Sequence, residues 1–191
     1  MITIRQERPS DIEAREALLD EAFGEGRYRK SSERVREDRL PAEGLSLTAA
    51  EGKRVVGTVR LWHVACGTDK PALLLGPMAV ADDCRGRGIG AALMARAIEA
   101  ARKLGHRAIV LVGDAPYYGR FGFSMEKTGA LWMPGPFERH RLLALELVPG
   151  ALDGARGLIG ATGHLAPKPE LAQLLAQDRR AQRTRRRPHA A

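Results

Sequence analysis

A basic, glycine-rich turn follows an apolar segment near the middle of the chain. Residues 74–80 are apolar and contain Gly76-Pro77, and residues 85–91 read Arg-Gly-Arg-Gly-Ile-Gly-Ala before a helical pattern. Glycines let the backbone approach a ligand closely, and the first N–H groups of a helix have no partner within it. Together with the helix dipole, these N–H groups attract phosphate oxygens. The pattern predicts a strand, a pyrophosphate-binding turn and a helix, in that order.

Two common phosphate-binding motifs do not account for this turn. A P-loop needs Lys-Ser or Lys-Thr after its last glycine, whereas Ala91-Ala92 follow Gly90 here. The spacing Gly86-x-Gly88-x-x-Ala91 satisfies the dinucleotide fingerprint. That fingerprint belongs to two mononucleotide-binding halves, and the sequence pattern offers one strand-helix-strand unit after an antiparallel meander. The dinucleotide interpretation is therefore disfavoured by its context.

Three motifs together carry a resemblance to a known family. They are Arg85-x-x-Gly88-x-Gly90, Leu-Gly-Pro-Met-Ala-Val at residues 75–80 and Tyr-Tyr-Gly-Arg-Phe-Gly-Phe at residues 117–123. Over about residues 1–148 the chain resembles the GCN5-related N-acetyltransferases (GNAT), and looks most similar to the small bacterial YhbS-type branch. The resemblance implies an α/β fold with a mixed sheet whose two parallel central strands splay apart. It also implies acetyl-CoA as cosubstrate, no metal, and direct acetyl transfer to an amine.

The cofactor is expected to contact two segments and one tyrosine. Backbone groups of residues 78–80, beside the splay that Pro77 favours, would hold the pantetheine arm as an additional strand. Amides of residues 85–91 would bind the pyrophosphate, while the arginine side chains could either contact it or remain solvated. The expected cofactor-binding residues are Met78, Ala79, Val80, Arg85, Gly86, Arg87, Gly88, Ile89, Gly90, Ala91 and Tyr118.

Three side chains are candidates for the acid and the base of the transfer. Tyr118 matches a family tyrosine near the CoA sulfur, where a phenol could protonate the departing thiolate; the alternative is a tyrosine that only packs beneath the cofactor. The strand over residues 72–80 contains no Asp or Glu. Asp114 and His63 are therefore the candidate bases acting through water, although a turn-forming Asp and a sheet-face His are common structural alternatives.

Because the strand over residues 72–80 has no Asp or Glu to act as a base, a second function is also considered, a catalytically silent acyl-CoA sensor of the same fold. The acceptor pocket is expected near residues 24–44 and 129–140. Neither segment contains a pattern that indicates which acceptor binds. The resemblance makes a homodimer plausible.

Charge and composition suggest one domain followed by a basic tail. The chain has 191 residues and a formal charge of +8, and residues 178–187 alone hold six arginines and one aspartate. We expect an acetyltransferase domain at 1–148, a surface-wrapping extension at 149–177 and a disordered tail at 178–191. The tail has no interleaved aromatic residues, so nucleic-acid binding is expected to be weak at most. With two distant cysteines, an N-terminus that lacks a signal-peptide pattern and no membrane-length apolar run, we expect a cytoplasmic protein.

The periodicity also predicts how individual elements are arranged. Residues 45–66 read as a hairpin, and residues 88–104 as a helix between parallel strands at 72–80 and 108–113. Ser10 and Glu13 form a capping-box pattern for a helix that ends at Gly24. A strand is expected around residues 123–126, a hairpin joining 131–133 to 141–147, and a helix at 171–176. Apolar residues expected on buried helix faces include Ile12, Leu18, Leu19, Phe23, Ile89, Leu93, Ala97, Ala101 and Leu104.

Overall fold

The computed structural model describes residues 1–167, which form a mixed sheet flanked by helices. Its eight strands within this range are β1 (Ile2–Gln6), β2 (Ser46–Glu51), β3 (Arg54–Cys66), β4 (Lys70–Val80), β5 (Ala108–Val112), β6 (Leu131–Trp132), β7 (Leu142–Glu146) and β8 (Gly157–Ala161). The helices are α1 (Ile12–Phe23), α2 (Ser31–Arg36), α3 (Ile89–Lys103) and α4 (Ala115–Gly119). The main path of the sheet is β1-β2-β3-β4-β5-β7, and β8 pairs with β3 and β6.

The centre of the sheet is the predicted strand-helix-strand unit. β4 and β5 are parallel and are connected through α3, while the other neighbours along the main path are antiparallel. Their register contains two residue pairs, Leu73 with Ile109 and Leu74 with Val110. β4 nevertheless continues to Val80 and β5 to Val112. The two strands therefore separate towards their carboxyl ends, which confirms the expected splay.

Gly76-Pro77 interrupts the β3–β4 ladder at this point. The register shifts between Val59 and Leu61 of β3, so that neither Gly76 nor Pro77 has a cross-strand partner there. Proline has no N–H to donate to a ladder, and a local irregularity is the expected result. Trp62 Nε1 donates a hydrogen bond of 2.6 Å to the Gly76 carbonyl oxygen, which fixes the irregular segment to β3.

Alternating side chains along the central strands build a core on each face of the sheet. Leu61, Leu73 and Ile109 belong to the core that receives α1 and α3, whereas Trp62 and Leu74 belong to the opposite core. The continuous apolar sequence of β5 is therefore explained by burial on both faces, as is usual for a parallel strand. Burial of these side chains holds α3 against the strands that carry the splay.

The C-terminal part of the sheet differs from the sequence-based prediction. β6 pairs in parallel with β8, and β7 pairs with β5, so the hairpin expected between residues 131–133 and 141–147 is wrong. The strand expected around residues 123–126 reduces to a single bridge between Ser124 and Ala144. β7 is apolar on both faces and pairs with the buried strand β5. This pairing joins residues that are distant in sequence, so local periodicity does not predict it.

Residues after 148 contribute to the described structure. β8 pairs with β3, and Ala151, Leu152, Ala155 and Ile159 are buried in the second core. The expected domain division at residue 148 stays a prediction, but the described part of the extension supplies core as well as surface. The expected helix at residues 171–176 and the basic tail at 178–191 lie outside the described residues.

Two local expectations about helices were wrong. Asp11, rather than Ser10, precedes α1, and its carboxylate accepts hydrogen bonds from the backbone N–H of Arg8 (2.8 Å) and from the Arg5 guanidinium. This arrangement closes a short 3-10 turn before α1 and replaces the Ser10–Glu13 capping box. Three apolar residues expected to be buried are instead exposed because they lie at helix ends: Ile12, Phe23 and Leu104.

Candidate active site

The glycine turn adopts the conformation that an anion cradle requires. Gly86 and Gly88 have φ angles of 77° and 76°, and an added Cβ at either would meet nothing within 4 Å. Positive φ is accessible to glycine at little cost, so these residues turn the chain into α3. The backbone N–H of Ala92 is bonded to the Gly88 carbonyl, which leaves the N–H groups of residues 89–91 at the open end of the helix. The cradle therefore fits a pyrophosphate.

A cleft of ≈ 430 Å³, here called the cradle cleft, lies over this helix end. The expected cofactor residues that line it are Met78, Ala79, Val80, Arg85, Gly86, Gly88, Ile89, Gly90 and Ala91. A Cβ on Gly90 would lie 2.9 Å from the Tyr117 hydroxyl oxygen, so Gly90 allows the tyrosine to approach the helix. The structure thus brings the strand and the glycine turn together in one cleft, as the motifs predict.

The two arginines of the turn are held by carboxylates. Arg85 pairs with Asp82 at 2.7 Å, and Arg87 pairs with Glu51 at 2.7 Å and lies outside the cleft lining. The hydrogen bond and charge of Glu51 raise the pKa of Arg87. The backbone N–H groups of residues 89–91 therefore attract an anion independently of these two side chains. Arg120, which we did not single out from the sequence, also lines the cleft, and its guanidinium stacks 4.5 Å from the Tyr117 ring centroid.

A second cleft, of ≈ 420 Å³, opens where β4 and β5 separate and is here called the splay cleft. It is lined by residues 75–78 of β4 and residues 111–114 at the end of β5, and by the segment from Phe23 to Arg36. The two clefts share Met78 and Tyr117 in their linings. An extended ligand held at the cradle could therefore follow β4 into the splay cleft.

Tyr118 lines the splay cleft and keeps its proton over a wide pH range. Burial raises the pKa of Tyr118 to about 12, and Tyr117 adds to the increase. Its ring occupies the space that a side chain at Gly113 would need, since a Cβ there would be 2.1 Å from Tyr118 Cε2. The ring also contacts Tyr117 edge-on, with 5.0 Å between centroids. Packing therefore fixes a protonated phenol at the end of β5.

The two candidate bases lie in different places. Asp114 is exposed, precedes α4 and lines the splay cleft with Tyr118, whose pKa its charge helps to raise. His63 lies in the middle of β3, and its ring centroid is 5.3 Å from that of His106, just before β5 begins. It is absent from the linings of both clefts. The structure thus brings Asp114 and Tyr118 together and leaves His63 apart from them.

Charged side chains that the sequence did not single out line the acceptor side of the splay cleft. Arg36, at the end of α2, is 7% exposed and forms an ion pair with Glu33. Lys30 and Arg141 line the same cleft. These residues come from segments that are distant in sequence, so only the fold brings them together. They lie within or next to the regions expected to form the acceptor pocket.

Residues 1–167 lack two features, a cluster of metal-ligating side chains and a helix able to span a membrane. No group of three or more His, Cys, Asp or Glu side chains in this range is arranged to hold a metal ion. None of the helices in the same range combines the length and apolar character needed to cross a membrane.

The mixed sheet with splayed parallel strands, the anion cradle and the adjoining cleft define the class of acyl-group transferases that bind a long phosphorylated donor. Residues 12–123 match the family model described as Acetyltransferase (GNAT) family. The chain belongs to the GNAT acetyltransferase family, which confirms the resemblance and the fold class expected from the sequence.

Relatives agree with this assignment. The chain is 31% identical over 157 residues to the uncharacterized N-acetyltransferase YhbS of Escherichia coli strain K12. This match covers 82% of this chain and 93% of that protein. The crystal structure of E. coli YhbS in complex with CoA matches with a TM-score of 0.71 and 28% identity, covering 87% of this chain and 96% of that one. A GNAT acetyltransferase from Brucella melitensis in complex with acetyl-CoA matches with a TM-score of 0.64 and 27% identity, over 85% and 96% of the chains.

Proposed function

We propose that this protein transfers an acetyl group from acetyl-CoA directly to the amine of an acceptor. The observation that carries the proposal is the continuity of the two clefts at Met78 and Tyr117. A donor with its pyrophosphate at the cradle and its pantetheine arm along β4 would present its thioester in the splay cleft. The related structures that contain CoA and acetyl-CoA support this choice of donor.

The edge of β4 beyond Leu74 would hold the pantetheine arm. β5 no longer pairs with β4 there, so alternate backbone N–H and C=O groups of residues 78–80 face the gap. The arm could bind these groups as an additional strand, and one N–H group could polarise the thioester carbonyl. Alignment in this way lowers the barrier because a thioester is already activated and needs mainly correct placement.

Proton transfer would involve Tyr118 and Asp114. The amine nitrogen attacks the thioester carbonyl carbon, a C–N bond forms, and the C–S bond breaks. Tyr118 gives its proton to the departing thiolate and Asp114 receives the amine proton through water, after which solvent returns both groups to their starting state. His63 takes no part because it lies apart from both clefts.

Release of free CoA in the presence of an amine panel tests the proposal. We expect turnover with at least one amine, a large loss of acetyl-CoA affinity in Gly88→Asp/Gly90→Asp, and a lower kcat with nearly unchanged acetyl-CoA affinity in Tyr118→Phe. Unchanged affinity in the double glycine variant would contradict the cradle. Tight acetyl-CoA binding without turnover on any amine would favour the silent sensor. The cytoplasmic location, the homodimer and the domain boundary stay predictions.

A further inference from the structure

Three cationic side chains line the splay cleft and are absent from the lining of the cradle cleft. Lys30 precedes α2, Arg36 ends it, and Arg141 precedes β7. Burial lowers the pKa of Lys30, and the positive charges of Arg36 and Arg141 lower it further. Arg36 and Arg141 each lie close enough to repel Lys30, and the three residues, which line one cleft, are here called the cationic wall.

Arg36 is the fixed member of the cationic wall. It is 93% buried, and the site of an added Cβ on Gly76 lies 3.5 Å from its Nη1 atom. Its Nη2 atom donates a hydrogen bond to a Glu33 carboxylate oxygen. A guanidinium has five N–H donors, and no Arg36 nitrogen is among the fully buried side-chain atoms of the described residues that lack a partner, so its remaining donors reach the open cleft. Arg36 thus has donors to offer a ligand in the cleft.

The other two members leave an excess of positive charge. The Lys30 ammonium sits 4.3 Å from the Phe23 ring centroid. Arg141 has a loose, exposed ion pair of 3.5 Å with Glu138. Arg27 in this lining is paired with Glu16 and Asp20, and Arg36 is paired with Glu33, whereas Lys30 and Arg141 add positive charge beside Asp114. A concave site with such an imbalance attracts anions and repels cations.

The donor does not account for this charge. Its pyrophosphate has the backbone N–H groups of residues 89–91, on the far side of the Met78 and Tyr117 junction. The cationic wall lies instead on the acceptor side, close to Gly76 and to the cleft lining that contains Asp114. An anion bound there would belong to the acceptor.

We propose that the acceptor is an amine that also carries an oxyanion, a carboxylate or a phosphate, which binds Arg36 with support from Lys30 and Arg141. This inference rests on the proposed acetyl transfer. The oxyanion would dock on the cationic wall and direct the neutral amine towards the Asp114 and Tyr118 side of the cleft. Polyamines and other polycationic amines would be poor acceptors because their additional charges meet the same wall.

Matched acceptor pairs test the proposal with the full chain and acetyl-CoA. The pairs are L-amino acids against their carboxamides for the carboxylate, and phosphoethanolamine against ethanolamine for the phosphate, with spermidine as the cationic probe. The measured quantity is kcat/KM for CoA release at a pH held constant within each pair and corrected for amine pKa. We expect the anionic member of at least one pair to be favoured roughly tenfold to a hundredfold, as for hydrogen bonds to charged groups. The better pair identifies the source of the oxyanion.

Variants distinguish the effect of the cationic wall on acceptor preference from the effect of the overall charge of the protein. Lys30→Gln and Arg141→Gln should each reduce the preference for the anionic member, whereas Lys53→Gln and Arg102→Gln remove exposed charges elsewhere and should leave it unchanged. Arg36→Lys keeps the charge but loses the planar pair of donors, so it should raise KM for the anionic acceptor. Acetyl-CoA affinity and thermal unfolding of each variant show whether folding is retained.

Binding measurements keep the two proposals distinguishable. Calorimetric titration of the same pairs into the CoA-saturated protein does not require turnover. If no amine is acetylated, the proposed function fails, and the titrations still decide whether the cationic wall selects an oxyanion. Equal binding and turnover of the matched members, a preference for spermidine, or a preference that survives Lys30→Gln and Arg141→Gln would overturn this inference.

Discussion

Gly113→Ala is expected to displace Tyr118 without changing its chemistry. The new methyl would lie 2.1 Å from Cε2 and 2.7 Å from Cδ2 of the tyrosine ring. The shorter distance is about 1.3 Å less than the 3.4 Å at which ordinary van der Waals contact begins, so the ring must move by roughly 1 Å. The φ angle of Gly113 is outside the left-handed region, so the substitution adds no backbone strain of that kind. The effect is therefore steric.

The displacement should appear in kcat and in stability. Misplacing a reacting group by about 1 Å can cost about 100-fold in rate. We expect kcat to fall by about this factor, while KM for acetyl-CoA changes little because the cradle is untouched. Overpacking of this kind typically lowers the free energy of unfolding by about 1–3 kcal/mol. Steady-state CoA release and urea unfolding measure the two effects.

Gly119→Ala is the matched control. Gly119 belongs to α4, and an added Cβ would meet nothing within 4 Å, so kcat and stability should remain close to wild type. A double-variant cycle then isolates the clash, because Gly113→Ala should cost little stability once Tyr118→Ala has removed the ring. Wild-type kcat in a folded Gly113→Ala protein would refute the role assigned to Tyr118. Additive stability costs in the cycle would refute the steric argument.

Three further outcomes are expected. Gly90→Ala should raise the dissociation constant for acetyl-CoA by roughly tenfold, about the effect of one lost hydrogen bond, because its methyl would lie 2.9 Å from the Tyr117 hydroxyl and crowd the cradle; equilibrium binding measures this constant. With a pKa of about 12, Tyr118 stays protonated, so kcat should not decline with increasing pH between 7 and 10; a decline lost in Tyr118→Phe would contradict this. The hydrogen bond from Arg5 lowers the pKa of Asp11 to about 2 from an ordinary 3.8, so its stabilisation is present above pH 3.8 and is lost as pH falls through 2. Asp11→Asn should therefore lower the free energy of unfolding at pH 7 by about 1 kcal/mol after solvent screening, and flatten its dependence on pH below 4.

Local patterns were sufficient for the elements whose shape depends on their own residues. The hairpin of β2 and β3 follows from two β-rich runs around Glu51-Gly52-Lys53, and α3 follows from helical periodicity after Gly88. Prediction failed where partners are distant in sequence. β6 pairs with β8 and β7 pairs with β5, and no short-range signal in the sequence specifies these partners.

The candidate site divides in the same way. The chemistry of the cradle lies in backbone N–H groups and glycine φ angles, which neighbouring residues determine. The acid–base candidates depended on the fold: the same sequence argument proposed Asp114 and His63, and only Asp114 lies with Tyr118 in the splay cleft. The difference arises because Asp114 follows the carboxyl end of β5 directly, whereas the sheet register places His63 level with the amino end of β5, beside His106.

The sequence by itself determined the elements that bind the donor: a strand interrupted at Gly76-Pro77, a glycine turn and a helix. It also indicated the family of the chain. These features are local, since they depend on residues within a few positions of one another. Only the tertiary structure decided which charged side chains line the splay cleft. Lys30 precedes α2, Arg36 ends it and Arg141 precedes β7, so these residues, distant in sequence, line one splay cleft and combine their charges there only once the chain has folded.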